Sequence, residues 1–563
     1  MSSYSLTALT ALFARQPASG RPAPRMRTFS VAHARPFALR ARRRAAAVVA
    51  VIGLLAAAGC GSDSGEPPSA VGTPRAGGSL DILATSDARS LDPFLPSYAA
   101  QADGNRMAAL YDSLLWTNPV TGSVQPQLAE SLNPVEGSGN KIWSLRMRPN
   151  LRFTDGTVFD AAAVKINWDT HAVPTTNSRQ RDATVGMKSQ IGADALELRI
   201  ILDKPNGNFD RLVARSLSFI ASPKAIAEGV DKLAEHPVGA GPFMLAPGGW
   251  VKGDHLTLVK NQTYWQGPTK PYLDSITFRY ESSGTAAVDR VKKGKADVAN
   301  VSDAFTLKAA RAAGIGIESL ALSGGQLLSF DTSGGPTANP DVRRAIVLAL
   351  SSEEINRRVF GGAGTPARGI FNQATALANP QLSAPENKPQ QAAELFAKVT
   401  DKGAKPMRIK FIAPKSAAID ELGRYMKETL EKFPGVTLDV ETADLSEFVK
   451  RSNLADAFDV KVSQLLADDP EPVVYQYLHR GSPGNCCFYG DDAVDRSLDE
   501  ARNTTDPSRR RAAYTQLQLQ LDRDMPLWVY QEAVVAGVFH SGITGVQLCN
   551  DGIFLFDRLG KKG

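Results

Sequence analysis

The chain has 563 residues, of which 43% are hydrophobic and 22% are charged. This composition excludes a disordered chain or a coiled coil over most of the length, and the length allows several lobes with cores of their own. The formal net charge is +6, but nine arginines and no lysine or acid lie within residues 1–44, so the remainder carries −3. The basic pI of about 9.0 therefore indicates no nucleic-acid partner.

Residues 1–59 are predicted to be a signal peptide with an extended basic n-region. The apolar run at 45–58 is shorter than the ~20 residues that a membrane-spanning helix needs. Small residues lead to Cys60, which resembles the processing site of a lipoprotein, where the cysteine thiol carries a diacylglycerol. Ala57 stands where such sites usually have Leu or Val, so secretory cleavage beside an incidental cysteine is the alternative.

Residues 60–77 are rich in Gly, Ser and Pro and are predicted to be a flexible, lipid-anchored linker. No later stretch is apolar enough to span a membrane, so acylated Cys60 is the expected anchor. Translation from Met1 and translation from Met26 are both compatible with this signal.

Alternating apolar residues predict several strands further along the chain. They fall at 80–84, 143–147, 196–202, 276–280, 409–411 and 436–440. Between the last two, Ile419, Leu422 and Met426 share one face of a predicted helix that ends at Pro434-Gly435. A β-α-β unit of this kind predicts a partly parallel sheet, and therefore an α/β fold.

Helix signals dominate the C-terminal third. Asn339 and Pro340 suit the cap and first position of a helix, and two more helices are predicted through 494–501 and 514–521. Residues 527–539 are predicted to form one strand that returns to an earlier sheet.

Three cysteines follow the predicted anchor: Cys486, Cys487 and Cys549. Secretion favours disulfides, and neighbouring cysteines rarely pair with each other, so Cys487 is expected to bond Cys549, with Cys486 as the alternative partner. Three reduced, buried thiols are the other possibility. No metal site is expected, because no His or Cys stands nearby at a second ligand spacing.

The sequence lacks several common motifs of catalytic and phosphate-binding sites. It contains no Gly-x-Ser-x-Gly elbow, no phosphate-binding loop and no His-Glu-x-x-His. The acid pairs Asp468-Asp469 and Asp491-Asp492 are adjacent in the chain, which does not suit the two opposed carboxylates of a glycosidase. The chain is therefore expected not to be an enzyme and to need no cofactor.

Short motifs occur in a fixed order from residue 90 onward. They are SLDP at 90–93, YDSLL at 111–115, PQLAES at 126–131, the run from Trp143 to Val164, GPF at 241–243, NQTYW at 261–265 and PDVRRAI at 340–346. Together they resemble the extracellular solute-binding proteins of family 5, the oligopeptide-, dipeptide- and nickel-binding group that serves ABC importers.

The resemblance implies a type II periplasmic-binding-protein-like fold, with two hinged lobes and an extra subdomain on the first. The implied boundaries are 78–115, 220–330 and 525–563 for lobe I, 116–219 for its subdomain, and 331–524 for lobe II. Two crossings between the lobes would form a hinge, and contacts of a solute with both lobes would favour the closed state.

The resemblance also predicts which residues contact the solute. The segment at 466–472 is similar to one in which peptide binders pair an Asp with the amino terminus of the peptide, and Asp468 holds that position. Asp469 replaces the usual aromatic residue, and capping of the following helix is the alternative role for both.

Four further residues complete the predicted site. Ser97 and Tyr98 follow the SLDP turn, where the family's loop faces the cleft. Trp116 is expected near the mouth of the cleft or in the core, and Tyr489 at the solute or packed on the surface.

The predicted function is that of a monomeric, lipid-anchored binding protein. It would capture a peptide or peptide-like solute outside the cell membrane, in the periplasm if there is an outer membrane, and deliver it to an ABC permease. Three alternatives stay open: a cell-surface hydrolase with a cleft, another solute class such as an oligosaccharide or a metal chelate, and a signalling receptor on the same fold.

Overall fold

The computed structural model describes residues 72–563. The predicted signal peptide, Cys60 and most of the predicted linker therefore lie outside the described residues. Within residues 72–563, no helix is both long and apolar enough to cross a membrane.

The described part of the chain contains the following α-helices. They are α1 Gly104–Tyr111, α2 Ala161–Ala172, α3 Arg181–Thr184, α4 Phe209–Ser216, α5 Pro223–Glu228, α6 Val230–Leu233, α7 Gly284–Lys292, α8 Ala304–Ala313, α9 Pro340–Ala349, α10 Ser352–Val359, α11 Pro389–Val399, α12 Ala417–Leu430, α13 Leu445–Ser452, α14 Pro470–Leu478, α15 Asp492–Asn503 and α16 Pro507–Asp524.

The same residues also form a series of β-strands. In chain order they are β1 Pro74–Arg75, β2 Ser79–Ala84, β3 Leu115–Thr117, β4 Val124–Pro126, β5 Ala129–Pro134, β6 Ile142–Met147, β7 Met187–Ile191, β8 Glu197–Leu202, β9 Phe243–Val251, β10 His255–Lys260, β11 Ser275–Tyr280, β12 Val298–Val301, β13 Gly316–Leu320, β14 Ser323–Phe330, β15 Met407–Pro414, β16 Val436–Ala443, β17 Val460–Ala467, β18 Leu527–Glu532, β19 Val535–Phe539, β20 Ile543–Thr544, β21 Leu548–Cys549, β22 Ile553–Phe554 and β23 Gly560–Lys562.

The first lobe is built on a seven-stranded sheet in the order β13-β19-β12-β2-β11-β10-β9. Strand β2 pairs in parallel with both β11 and β12, while β19 lies antiparallel between β12 and β13. Apolar side chains from β2, β10 and β11 pack with the C-terminal segment at 546–559 into one core. The sheet thus joins parts of the chain from both ends of the described residues.

A smaller four-stranded antiparallel sheet, in the order β5-β6-β8-β7, forms the subdomain of the first lobe. Alternation sends Trp143, Leu145 and Met147 of β6 into a core that α2 and α4 cover. Asp160 caps α2 by accepting a bond from the backbone N–H of Ala163, which satisfies one of the open donors at the helix start.

The second lobe contains a five-stranded sheet in the order β16-β15-β17-β14-β18. Strands β15 and β16 are parallel over eight residue pairs and α12 connects them, which confirms the predicted β-α-β unit. Asn339 caps α9, as its sequence predicts. Apolar cores lie on both faces of this sheet.

The chain passes between the two large sheets at 321–322, from β13 to β14, and at 533–534, from β18 to β19. The predicted boundaries at 330 and 525 are therefore wrong, because β14 and β18 both pair within the second sheet. Likewise, residues 527–539 form two strands in different sheets rather than one, because the chain leaves the second lobe in the middle of this apolar run.

Two other predictions are corrected by pairings in the described residues. Strand β1 pairs with β23, so the predicted flexible linker at 60–77 includes a segment that belongs to a sheet. The disulfide joins Cys486 to Cys487, while Cys549 is a buried free thiol, so the predicted bond to Cys549 is wrong. The reason is that Cys549 lies in the core of the first lobe, whereas the other two cysteines lie in that of the second.

Candidate functional site

Three parts of the molecule meet beside the first turn of α14. Helix α4 comes from the subdomain, the junction of β17 and α14 comes from the second lobe, and the turn between β21 and β22 comes from the first lobe. The predicted site residues Asp468 and Asp469 form the junction of β17 and α14. The chain therefore places both aspartates at an interface between the lobes.

Asp469 has two cationic partners. Its carboxylate accepts a bond from Arg510 at 2.8 Å within the second lobe and one from Arg211 of α4 at 2.9 Å. It also caps α14 by accepting from the backbone N–H of Glu471 at 2.9 Å. Burial acts to raise its pKa, but the two arginines outweigh burial and bring the pKa of Asp469 to about 2.

Asp468 shares its one cationic partner with another carboxylate. Arg215 of α4 donates to Asp468 at 2.9 Å and also contacts Asp551, which belongs to the turn between β21 and β22. The Asp468 side chain is only 6% exposed. Burial and the negative charge of Asp551 together raise the pKa of Asp468 to about 7, against the attraction of Arg215.

Amide and backbone contacts extend the interface beyond these ion pairs. The side-chain amide of Asn208 donates to the backbone carbonyls of Ala501, Arg502 and Thr504, at distances from 2.9 to 3.1 Å. Glu471 is 1% exposed and accepts bonds from Arg502 and from Asn206 of the subdomain. The buried side chains of Asn206, Asn208 and Glu471 are thereby paired across the interface.

A cavity of about 370 Å³ lies next to this interface and is lined by both the subdomain and the second lobe. The subdomain contributes the apolar side chains of Met187, Leu202 and Leu212 to its lining, and the second lobe contributes Tyr475 and Arg502. The Arg502 guanidinium lies 3.3 Å from the centre of the Tyr475 ring. A volume of this size and mixed lining suit a small solute.

A second contact joins the lobes at α8. Phe305 of α8 packs against Phe360, with ring centres 6.4 Å apart, and Lys308 donates to the carbonyl of Gly361 at 3.5 Å. The lobes thus touch both through the subdomain and through the large sheet domain of the first lobe.

The other predicted site residues are engaged elsewhere. Tyr98 is buried against Phe219 and its hydroxyl donates to the carbonyl of Pro93, while the Ser97 carbonyl accepts from Asp103 within the same loop. Trp116 is buried in the first core, beneath the guanidinium of Arg558. Of the two places expected for this ring, the cleft mouth and the core, it occupies the core.

Tyr489 is also part of a core. It is buried in the second lobe beside the cysteine pair, and its hydroxyl donates to Asp524 at 2.7 Å. None of these four residues contacts Asp468 or Asp469 in the described chain, so the structure does not bring the six predicted residues together.

Sequence reasoning missed several residues of this interface, including the three that lie closest to the question of charge, Arg211, Arg215 and Asp551. Arg211 and Arg215 stand four apart on α4, so they project from the same side of the helix. That spacing is a local signal, but it does not identify partners that lie more than 250 residues away. Within residues 72–563, no group of three or more His, Cys, Asp or Glu side chains is placed to hold a metal ion.

A profile of the bacterial extracellular solute-binding proteins, family 5 (Middle), matches residues 123–485, which is more than half of the chain. The chain belongs to this family. The match begins before the sheet of the subdomain and extends through most of the second lobe, so it includes α4 and the junction of β17 and α14.

Among curated relatives of this family 5 protein, the glutathione-binding protein GsiB of Escherichia coli O6:K15:H31 (strain 536 / UPEC) is 29% identical over 262 residues. The alignment covers 46% of this chain and spans 49% of that relative, about half its length. The name of this relative describes a binding protein.

Two solved structures show the same fold. The ABC transporter substrate-binding protein CtaP of Listeria monocytogenes has a TM-score of 0.72 at 20% identity, covering 87% of this chain and 100% of its own. NikA of Brucella suis, solved in complex with Fe(III)-EDTA, also has a TM-score of 0.72, at 21% identity, covering 86% of this chain and 100% of its own. The fold is therefore that of the periplasmic solute-binding proteins, α/β with two lobes.

Proposed function

We propose that the chain is the substrate-binding protein of an ABC importer, which captures a peptide or peptide-like solute between its lobes and delivers it to a membrane permease. The observation that carries the proposal is the geometry of the lobes. Two connections of two residues each join the large sheets, and the opposing surfaces meet through buried polar contacts and a cavity of about 370 Å³. Surfaces of this kind suit a closed state that a solute stabilises.

The proposal includes the location and the partners of the protein. Cys60 would carry the lipid anchor, residues 1–59 would direct secretion, and the mature protein would be a monomer on the outer face of the cell membrane or in the periplasm. The description of the family as extracellular supports the location outside the cell membrane, and the glutathione-binding role that gives GsiB its name favours a peptide-like solute. No bond of the solute would be broken.

The direct test is binding by purified protein. Native mass spectrometry would identify any solute that copurifies, and a panel of glutathione, dipeptides, tripeptides, oligosaccharides and metal chelates would be screened for a rise in the melting temperature. A rise with one peptide class and none with the other classes is expected. A panel that never raises the melting temperature would contradict the proposal.

A variant of the interface sharpens the test. Asn208→Asp replaces the amide that donates to three carbonyls of the second lobe with a carboxylate, which repels them. Because closure and solute binding are coupled, affinity should fall at least about tenfold. Asn177→Asp, on the surface of the subdomain, is the matched control and should bind as the unmodified protein does. Equal losses in both variants would mean that lobe contacts do not control binding.

A further inference from the structure

A largely buried guanidinium lies between carboxylates from two lobes. The Nη1 atom of Arg215 lies 2.9 Å from Asp468, the same guanidinium contacts Asp551, and its Nη2 atom donates to the carbonyl of Leu466 at 3.3 Å. The side chains of Arg215, Asp468 and Asp551 are 19%, 6% and 9% exposed. Each comes from a different part of the molecule, so the cluster forms only where the subdomain, the first lobe and the second lobe meet.

The cluster contains two carboxylates and one cation. Asp551 acts on Asp468 through its negative charge, so the two carboxylates are close enough to repel each other. Two buried carboxylates without a cation between them would oppose the approach of the lobes, because desolvation and repulsion would add. A cation at this position allows both carboxylates to stay ionised when the lobes are together, and Arg215 supplies it.

The position of Asp468 is the one where the family resemblance implies the ammonium group of a peptide. In this chain the guanidinium of Arg215 is already bonded to Asp468, and α4 fixes it, because the neighbouring Leu212 and Val213 are buried in the subdomain core. A solute ammonium and the guanidinium would compete for the same two carboxylates. The guanidinium is favoured in that competition because it is covalently attached to the protein.

We propose that Arg215 is a specificity-determining residue, an internal cation that keeps the ammonium group of the solute away from Asp468 and Asp551. The inference rests on the proposed function and narrows its solute class. Peptide-like solutes with a blocked amino end should bind as well as those with a free one, since the amino end is not what the aspartate recognises. Arg211, four residues earlier on the same helix, has no such role, because Asp469 also has Arg510.

Chemical rescue tests the internal cation without any solute. Arg215→Ala removes the guanidinium and leaves both carboxylates, so the melting temperature should fall, and methylguanidinium at about 20 mM should restore at least about 2 °C of it. Methylguanidinium should leave the unmodified protein unchanged, and neutral methylurea should rescue neither. Arg211→Ala is the matched control, in which methylguanidinium should have no effect.

Two outcomes of this rescue would overturn the inference. One is an equal rise in Arg211→Ala and Arg215→Ala, and the other is no rise in Arg215→Ala. Arg215→Gln, which keeps side-chain donors without the charge, replaces the alanine variant if the latter does not fold, and the same rescue is expected.

A second experiment measures the selectivity for the solute, first in the unmodified protein. For a peptide that binds, the affinities of the free and N-acetylated forms should agree within about threefold in the unmodified protein. In Arg215→Ala the free form should bind at least about tenfold more tightly than the acetylated form, because its ammonium fills the vacated position. A tenfold preference of the unmodified protein for the free form, lost in Asp468→Asn, would overturn the inference. If no peptide binds at all, the proposed function fails, and the rescue experiment still decides the role of Arg215.

Discussion

Asp468 and Asp469 are neighbours in the chain and almost equally buried, yet their carboxyl groups behave in opposite ways. The pKa of Asp469 is lowered to about 2, whereas that of Asp468 is raised to about 7. Burial acts in the same direction on both. The difference lies in the partners: Asp469 has Arg510 and Arg211 to itself, while Asp468 shares Arg215 with Asp551.

The comparison separates an anchoring carboxylate from one whose charge depends on its surroundings. Asp469 holds α14 and α16 together and caps a helix, so its ionised form is part of the fold. Asp468 gains little from ionisation, since its ionised form must share one cation. The ratio of cations to carboxylates, and not the degree of burial, decides which of two adjacent aspartates is stabilised in the charged state.

The largest expected effect is on the anchoring carboxylate. Asp469→Asn keeps an oxygen that can cap α14 but leaves the buried Arg510 without its negative partner. The free energy of unfolding should fall by about 3–5 kcal/mol, as it does when one member of a buried ion pair is removed. Urea unfolding at neutral pH measures this. Asp468→Asn is the control and should not lower the free energy of unfolding at neutral pH, because the amide resembles the protonated acid that the folded state favours.

The next effect is the part of the pH dependence of stability that comes from Asp468. Its folded pKa of about 7 lies above the ordinary 3.8, so the folded state binds the proton more tightly. The contribution of this group to stability is complete below about pH 4 and is lost as the pH rises to about 7, at up to about 1.4 kcal/mol per pH unit. The unfolding free energy of the unmodified protein, relative to that of Asp468→Asn, should fall across that range and then level off. A flat difference from about pH 4 to about pH 8 would refute the raised pKa.

Asp551→Asn tests the cause of that raised pKa. With Asp551 neutral, Arg215 serves Asp468 alone and the repulsion between the carboxylates disappears. The pH range over which stability changes should move down by about one to two units. The unfolding free energies of Asp551→Asn and of the double variant with Asp468→Asn, compared across pH, measure the shift. An unchanged range would mean that burial alone raises the pKa of Asp468.

The smallest effect is expected at Arg211. Arg211→Gln removes one of the two cations of Asp469, but the buried bond to Arg510 remains. A loss of about 1 kcal/mol or less should follow, in the range of ion pairs that are not fully buried. Thermal unfolding of Arg211→Gln, compared with that of Asp469→Asn, measures this loss. A loss as large as that of Asp469→Asn would mean that Arg211, not Arg510, is the main partner of Asp469.

The fold could be predicted from the sequence because the residue patterns that indicate it are local or occur in a fixed order along the chain. The alternation of Trp143, Leu145 and Met147 predicted a strand, Asn339 predicted a helix cap, and the motif order predicted the family. The helix-capping role of Asp469 was also foreseeable, since an Asp before Pro470 suits a helix start.

The electrostatics of the candidate site were not accessible in the same way. Arg215 and Asp551 are separated from Asp468 by about 250 and about 80 positions in the chain, and no local pattern links them. The disulfide prediction was wrong for a related reason. Cys549 lies in the core of the first lobe and the other two cysteines in that of the second, and no local pattern in the sequence indicates which core a cysteine joins. The predicted lobe boundary was wrong where one apolar run, at 527–539, supplies strands to two sheets.

The position of β19 has a consequence for the order of folding. Strands β14 to β18, which make the second sheet, come from one continuous stretch at 323–532, so this lobe can form as soon as that stretch is available. The first sheet begins with β2 but must wait for β19, which inserts between β12 and β13. Pairings between strands so distant in sequence form slowly. The lobe that starts first is therefore expected to be completed last, and until then β12 and β13 present unpaired edges that other chains could join.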